Sequence, residues 1–256
     1  MEMLTSYITN GIGWDAGYVI KTDTDGTTAD IKGWINIDNN AGTSFEDATI
    51  KLMAGSINRQ SVQKAYDSMG YEVPAEEAAA GSFERESFSE YHMYTLNRQS
   101  SLQDKQSKQI SLFSKDNVPV KKELVYDSWN GERVSISFTL DNSEEKGPGV
   151  PLPAGVAKFY QPDSEGQLQF AGEDRIDHTP IGDNIRITAG YAFDVTGERE
   201  QVDYERIGTN RYRTTNKITI SNYKETIEEV VIVERLYGDW ESPNHPIHTP
   251  SRMQIP

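Results

Sequence analysis

The stretch Ala29-Asp30-Ile31-Lys32-Gly33-Trp34-Ile35-Asn36-Ile37 decides the fold of this 256-residue chain. Its isoleucines, at positions 31, 35 and 37, fall on one side of an extended backbone, whereas Asp30, Lys32 and Asn36 fall on the other. Alternation with a period of two indicates a β-strand with one buried face. The stretch therefore predicts a strand that turns its isoleucines toward a core.

The same alternation recurs along the chain, and turn-forming sequences such as Asp23-Thr24-Asp25-Gly26 and Asn130-Gly131 separate the stretches. Closely spaced strands without helices between them indicate antiparallel connections. We therefore predict an all-β protein of antiparallel immunoglobulin-like β-sandwich units, with one short helical or disordered insertion. The other predicted apolar strand faces are Ala48/Ile50/Leu52, Val134/Ile136/Phe138/Leu140, Ile185/Ile187, Ile218/Ile220 and Val230/Ile232.

Three of the predicted strands end on the same pattern, apolar-x-apolar-(Asp/Ser)-Asn. The pattern closes at Asn39, Asn142 and Asn222. An asparagine side chain can bond its own local backbone and tolerates a left-handed conformation, so it ends a strand ladder. We interpret the pattern as repeated use of one strand-turn-strand unit.

Composition shifts divide the chain into four parts. In residues 61–82, alanines and glutamates favour a helix, but Gly70 and Pro74 interrupt it, so we expect a short helix in a mobile loop. Prolines dominate the end of the chain, which we expect to be extended or at a sheet edge. Residues 142–153 read as a long exposed connection. The predicted parts are residues 1–60 (N-terminal strands), 61–87 (helical or flexible insertion), 88–240 (the main β-sandwich region) and 241–256 (a Pro-rich extended tail). The main region is either one sandwich unit or two, and in the second case the boundary is predicted near 114–130.

The composition excludes some classes of function. The chain carries 40 Asp and Glu against 25 Lys and Arg, a formal net charge of −15, so it lacks the basic stripe that nucleic acid requires. It has no cysteine, which excludes disulfides and thiolate chemistry. The sequence predicts no membrane span, no signal peptide within this chain and no cofactor.

Six ordered stretches of the chain carry a family resemblance. They are Tyr7–Tyr18, Phe88–Leu96, Val118–Tyr126, Phe159–Gly166, Gly172–Pro180 and Phe193–Arg199. Together they resemble an uncharacterised bacterial and archaeal family, domain of unknown function 4139, which is related to mucoidy-inhibitor-like proteins. The resemblance runs from about Tyr7 to Trp240.

The resemblance implies a β-sandwich-rich fold and an extracellular or cell-envelope location, but no known reaction, so no catalytic residue is carried over. Two departures stand out. Family members usually have an export signal before the first matching stretch, and they usually continue with further strands beyond Gly238-Asp239-Trp240. Here a Pro-rich tail follows. We expect either a fragment or a sheet completed differently, for instance by a partner's strand.

The best candidates for catalysis surround His178. Nucleophilic hydrolysis needs a histidine base with an orienting carboxylate, and Asp174 and Asp177 precede this histidine closely. The chain has no Gly-x-Ser-x-Gly motif, however. The alternative is a polar hairpin with an Asp–Arg pair, which we favour.

The metal-site candidates are equally open to a plainer interpretation. His245 and His248 have a spacing that could bind a divalent ion, but they lie on the Pro-rich tail. The Asp23-x-Asp25-Gly26 sequence resembles part of a calcium loop but lacks the distal glutamate, so a hairpin turn is favoured. We predict no metal.

Aromatic residues could form a stacking surface for a sugar or a protein, although most such residues in a sandwich belong to the core. The candidates are Tyr91, Tyr94, Tyr126, Trp129, Phe159, Tyr160 and Tyr191.

Two functions stay open at this stage. The first is a noncatalytic exported or cell-envelope structural or interaction module; its sharper form is a subunit of a surface assembly that uses strand donation. Such a module would bind a protein partner or a second copy through sheet edges and the tail, with carbohydrate as a further candidate ligand. The second is a hydrolase acting on envelope polysaccharide or ester.

Overall fold

The computed structural model describes residues 5–54, 83–88, 91–235 and 251–255, and only the backbone of residues 84–88, 91 and 251–255. The described residues are strands joined by turns, with one short 3-10 helix at Ser128–Asn130 and no α-helix. The prediction of an all-β protein rich in antiparallel pairs is confirmed. The strands are β1 (Ile12–Thr22), β2 (Thr28–Asn39), β3 (Phe45–Ala48), β4 (Lys51–Ala54), β5 (Phe83–Phe88), β6 (Tyr91–Leu96), β7 (Ser100–Leu102), β8 (Gln106–Asp127), β9 (Arg133–Asp141), β10 (Gly155–Pro162), β11 (Leu168–Ile176), β12 (Asn184–Arg206), β13 (Tyr212–Asn222), β14 (Glu228–Val233) and β15 (Ser251–Ile255).

Ten of these strands form one sheet, in the order β11-β10-β1-β2-β8-β9-β12-β13, with β14 added to β8 and β15 to β14. Small satellite sheets pair β3 with β7 and β4 with β6 and β5. Two pairs in the main sheet, β1 with β10 and β14 with β8, are parallel. The prediction of antiparallel connections holds for neighbouring hairpins but not for these pairs, because their strands are far apart in the chain.

Two long strands are each shared between two parts of the sheet. The first part of β8 pairs with β2 up to Pro119, and its last part pairs with β9 from Val120 onward and with β14 from Leu124 onward. In the same way, β12 pairs with β9 in its first half and with β13 from Val195 onward. The backbone of each strand thus continues from one core to the next.

The inward faces of these strands form two cores. The larger one includes Ile31, Ile35 and Ile37 of β2, as their alternation predicted, and a stacked pair of rings, Phe138 and Phe159, with centroids 4.3 Å apart. The smaller one is built from Leu124, Tyr126, Val134, Val195 and Val230. Along β8 the change from one core to the other falls between Val120 and Leu124.

The sheet also curls so that β11 lies against β12. A Cβ atom on Gly172 would stand 1.7 Å from the carbonyl oxygen of Ala189, so only glycine permits this approach. The backbone N–H of Thr188 donates to the Asp174 carboxylate at 2.8 Å. A side chain thereby replaces a backbone ladder where the two strands meet.

The segment 142–153 is not the exposed connection that its composition predicted. Val150 and Leu152 are buried in the larger core. Tyr18 and Tyr94, both buried, donate hydrogen bonds from their hydroxyls to the carbonyls of Pro153 (2.6 Å) and Pro151 (2.8 Å). Burial raises the pKa of the Tyr18 hydroxyl, with the nearby Tyr94 adding to the effect, so the proton needed for this bond is retained. The segment closes one end of the core.

Two of the three strand-closing asparagines, Asn39 and Asn222, act on their local backbone, as the sequence predicted, and Asn142 does not. At Asn39 and Asn222 the side-chain oxygen accepts from the N–H two residues later, and the amide donates to the carbonyl four residues later. Asn142 instead donates to the carbonyls of Val150 and Pro180. Positive φ angles occur at Asp47, Lys105 and Asn117 rather than at these asparagines, so left-handed backbone plays no part in the closure.

Two predicted segments differ in detail. The strand expected across Ala48, Ile50 and Leu52 is broken, because β3 ends at Ala48 after a positive φ at Asp47 and β4 begins at Lys51 in another sheet. Of the predicted insertion, residues 61–82 lie outside the described residues, and residues 83–87 belong to β5. Of the predicted tail, residues 251–255 pair with β14 as an edge strand.

Replacing Tyr18 by phenylalanine tests how much the closing segment contributes to stability. We expect Tyr18→Phe to lower the free energy of unfolding by about 1–2 kcal/mol, because a buried hydrogen bond is lost and the Pro153 carbonyl is left unpaired. Urea denaturation measures this. Tyr223→Phe is the control, since Tyr223 is exposed, and an equal loss there would contradict the assignment.

Candidate functional site

The predicted catalytic residues lie on the surface beside the β11–β12 contact and do not converge. His178 is exposed, and its Nδ1 accepts a hydrogen bond from the backbone N–H of Ala154 at 3.1 Å. Asp174 accepts from the N–H groups of Arg175 and Thr188. Within the described ranges no hydrogen bond or ion pair links the side chains of Asp174, Asp177 and His178. The Arg175 guanidinium forms no ion pair with either aspartate there, so the expected Asp–Arg pair is not formed.

The predicted metal candidates divide into two groups. His245 and His248 lie outside the described residues. Asp23 is occupied by the hairpin turn between β1 and β2: its two oxygens accept from the backbone N–H and hydroxyl groups of Thr27 and Thr28 at 2.8–3.3 Å. In the described part of the chain no three His, Asp or Glu side chains are close enough to hold a metal ion.

The aromatic residues that the sequence grouped together are scattered. Tyr94, Tyr126 and Phe159 are core residues, so the idea that they line a recognition surface is wrong. Tyr160 is half-buried and packs edge-on against Phe170, while Trp129 and Tyr191 are exposed in other places. The side chain of Tyr91 lies outside the described residues.

A different surface stands out, formed by the outer parts of β12 and β13 with the turn that joins them. We call residues 198–217 the ribbon. Every residue from Glu198 to Ile207 and from Thr209 to Thr215 is exposed. Beyond Thr196, β13 is the one strand among the described residues that pairs with β12, so the ribbon extends past the end of β9.

The base of the ribbon is held tightly. Gly197 lies against Tyr126, where a Cβ would stand 2.2 Å from the ring, and its N–H donates to the Glu132 carbonyl at 2.9 Å. Arg199 forms an ion pair with Glu234 at 2.8 Å. The small core therefore fixes the direction in which the ribbon leaves the sheet.

A bulge in β12 controls which side chains the ribbon presents. The register with β13 shifts between Gln201 and Asp203, which leaves Val202 unpaired. A bulge of one residue moves the following side chains to the opposite face. As a result Tyr204 lies on the same face as Tyr212, and their rings stack with centroids 5.6 Å apart, although both remain more than half exposed.

Charge is distributed unevenly over the ribbon. Its β12 strand carries Glu198, Glu200, Asp203 and Glu205, whereas its β13 strand carries Arg213 and Lys217. Arg213 pairs with Glu205 at 2.9 Å. Counting all five basic and four acidic side chains, the ribbon has a net charge of +1 within a chain of −15. The ribbon therefore repels another acidic molecule less than the chain as a whole does.

Sequence reasoning missed the ribbon, although a signal was present. The apolar alternation of β13 stops at Ile218, and the five residues before it, from Arg213 to Lys217, are all polar or charged. A strand without an apolar face indicates a strand outside any core. Its partner could not be identified, because the bulge at Val202 leaves no sequence mark.

Comparison of the chain with family models, with curated proteins and with solved structures finds no match. Among the residues that the structure describes, none forms a helix of the length and apolar character needed to cross a membrane.

The Asp23 turn predicts a specific pH dependence of stability. Desolvation acts to raise the pKa of the Asp23 carboxyl, but the hydrogen bonds from Thr27 and Thr28 outweigh it and lower the pKa to about 2. Because the folded-state pKa lies below the ordinary 3.8, this carboxylate stabilises the fold above pH of about 4, and the contribution is lost as the pH falls toward 2.

We therefore expect the difference in unfolding free energy between the wild type and Asp23→Ala to shrink as the pH is lowered through this window. Urea denaturation at a series of pH values measures it. Asp25→Ala, an exposed position in the same turn, is the control. A difference that does not change with pH would show that the charge of Asp23 plays no part.

Proposed function

We propose that this protein is a noncatalytic interaction module that binds a protein partner through the ribbon. The observation that carries the proposal is the exposure of this two-stranded extension, whose large apolar side chains Val202, Tyr204, Ile207 and Tyr212 are all close to half exposed or more. Tyrosines of this kind combine a broad apolar surface with a polar hydroxyl and are enriched at protein interfaces.

Energetics support a binding role. An isolated two-stranded ribbon is at best marginally stable in water, because each strand lacks a second neighbour and no core lies beneath it. Unpaired strand edges also attract other strands. A ribbon that is anchored at its base by Gly197 and Arg199 but unsupported further out gains most when a partner covers it.

The cellular location of the protein and the assignment of its strands to immunoglobulin-like sandwich units are part of the same proposal. The six stretches that resemble domain of unknown function 4139 support an exported or cell-envelope location and immunoglobulin-like sandwich units. In that setting the module would be a structural component of a surface assembly. Carbohydrate is a second candidate ligand, for which exposed Phe193 and Tyr191, with Arg133 stacked 4.3 Å above the latter, offer an aromatic surface.

A photo-crosslinking residue placed at position 204 tests the binding role. In cells that express the chain from its own gene, we expect Tyr204→benzoylphenylalanine to crosslink the chain to one protein species. Mass spectrometry then identifies that species as another copy or as a different chain. The same residue at Ser164, in the exposed turn between β10 and β11, is the matched control. Equal crosslinking at both positions, or none at 204, would contradict a binding role for the ribbon.

The alternative proposal, a hydrolase of envelope polysaccharide or ester, is tested with His178→Ala. Because the Nδ1 of His178 accepts a backbone hydrogen bond and its side chain is exposed, we expect no substrate in a panel of glycans and esters to be turned over faster by the wild type than by the variant. A reaction that only the wild type catalyses would overturn the noncatalytic proposal.

A further inference from the structure

We propose that the protein forms a two-fold symmetric dimer in which the free edge of β13 pairs antiparallel with the same edge of a second copy, with Asn216 opposite Asn216. The inference rests on the proposed function, since it names the partner of the ribbon. It follows from four features of β13: its unpaired backbone groups, its charge pattern, its apolar face and an unpartnered side-chain oxygen.

The hydrogen bonds at the two ends of β13 establish which backbone groups face outward. Tyr223 donates to Asp194 at one end, and Ile207 donates to Arg211 at the other. In an antiparallel ladder, bonded and non-bonded pairs alternate. The odd-numbered residues of β13 therefore bond to β12, and the even-numbered ones direct N–H and C=O away from it. Gly197, opposite Ile220, agrees with this pattern, because its N–H points away from β13 to Glu132.

The outward groups form one regular edge, carried by Tyr212, Thr214, Asn216, Ile218 and Ile220. β12 is the one ladder partner of β13 in the described part of the chain, and β13 itself has neither a proline nor a bulge. Threonine, isoleucine and tyrosine also favour the extended conformation. By contrast, the free edge of β12 in the ribbon carries four acidic residues and the bulge at Val202, both of which discourage strand pairing.

The charges on β13 select the register. With Asn216 opposite Asn216, Arg213 faces Thr219 of the second copy and Lys217 faces Thr215. Shifting the register by two residues places Lys217 directly opposite Arg213 of the second copy in one direction and opposite the second Lys217 in the other. Like charges directly opposite each other destabilise a pair of strands. Arg213 is already paired with Glu205, and Lys217 lies opposite Glu200 within the same ribbon, so the edge approaches its copy with its charge largely balanced.

The other face of β13 gains contacts in the same register. Tyr212, more than half exposed, comes to lie opposite Ile220 of the second copy, and Thr214 lies opposite Ile218. An aromatic side chain opposite a β-branched one is a favourable cross-strand pair. At the centre, the side-chain oxygen of Asn216 is inaccessible to solvent and has no hydrogen-bond partner in the single chain. The amide of the second Asn216 can donate to it.

The net charge of the ribbon is compatible with a second copy at this place. Two molecules of −15 repel each other when their bodies meet. The ribbon, at +1, projects from the sheet, so pairing at its edge joins two copies while keeping the acidic bodies apart. The edge of β14 is not a competing site, because β15 of the same chain already pairs with it.

The absence of cysteine from the chain makes a direct test available, a single Asn216→Cys substitution. At the proposed axis the two Cα atoms would be about 5.5 Å apart, within the range of a disulfide. The control is Thr219→Cys, whose two copies would be about 20 Å apart in this register. In micromolar purified protein we expect the disulfide to form about a hundredfold faster at 216, because the interface raises the effective thiol concentration to the millimolar range.

A second variant keeps the test independent of the cysteine. Thr214→Pro removes an outward N–H without touching the ladder to β12, and the two symmetric losses should weaken the dimer about thirtyfold in sedimentation equilibrium. Thr214→Ala, which retains the N–H, is the matched control. Equal disulfide rates at 216 and 219, or a monomer at all accessible concentrations, would overturn the proposed dimer. Either result is expected if β15 or another segment of the same chain covers the edge of β13.

The two proposals fail separately. If residue 204 crosslinks to a different protein while the purified chain stays monomeric, the ribbon binds a partner but not a second copy. If the crosslink at 204 is also absent, the binding role of the ribbon fails with it.

Discussion

Continuity of the backbone through β8 and β12 is the constraint on which the rest of the structure depends. A β-strand turns alternate side chains to the same face along its whole length, so one long strand can serve two cores without a change of direction. In β8, Val120 belongs to the larger core and Leu124 to the smaller one. The hydrogen-bonded ladders on both sides of this point share one backbone, so no linker separates the two cores along this strand. The two cores therefore lie along one continuous sheet.

Side chains of asparagine and tyrosine form hydrogen bonds to backbone groups that the strand ladders do not pair. Asn39 and Asn222 make the same two local bonds at the ends of β2 and β13, and Asn142 bonds to the closing segment. Buried carbonyls need partners, and the prolines at 151 and 153 have no N–H with which to join a ladder. The hydroxyls of Tyr94 and Tyr18 satisfy these carbonyls. A segment that looks like a loop by composition thus becomes part of the core.

The ribbon exists because two strands, β12 and β13, continue beyond the smaller core. β12 and β13 extend beyond the last core residue, so their backbone stays paired while their side chains have nothing to cover. The bulge at Val202 then brings Tyr204 and Tyr212 to one face, and the free edge of β13 carries a regular set of unpaired groups. These are properties of a surface suited to another strand. His178, by contrast, is exposed and accepts a hydrogen bond from the backbone N–H of Ala154.

The sequence by itself determined the strand class, most of the inward faces and the closures at Asn39 and Asn222, because alternation and turn chemistry act between neighbouring residues. Ile31, Ile35 and Ile37 face the core for this reason. Only the tertiary structure decided that β1 lies beside β10, that Val150 and Leu152 are buried, and that residues 198–217 stand outside any core. These outcomes depend on pairing between residues more than a hundred positions apart in the case of β1 and β10, and on a one-residue bulge in the case of the ribbon. A local sequence pattern does not specify which distant strand pairs with the strand that it predicts. For the same reason it does not show which strands lack a second neighbour and form the edge of a sheet.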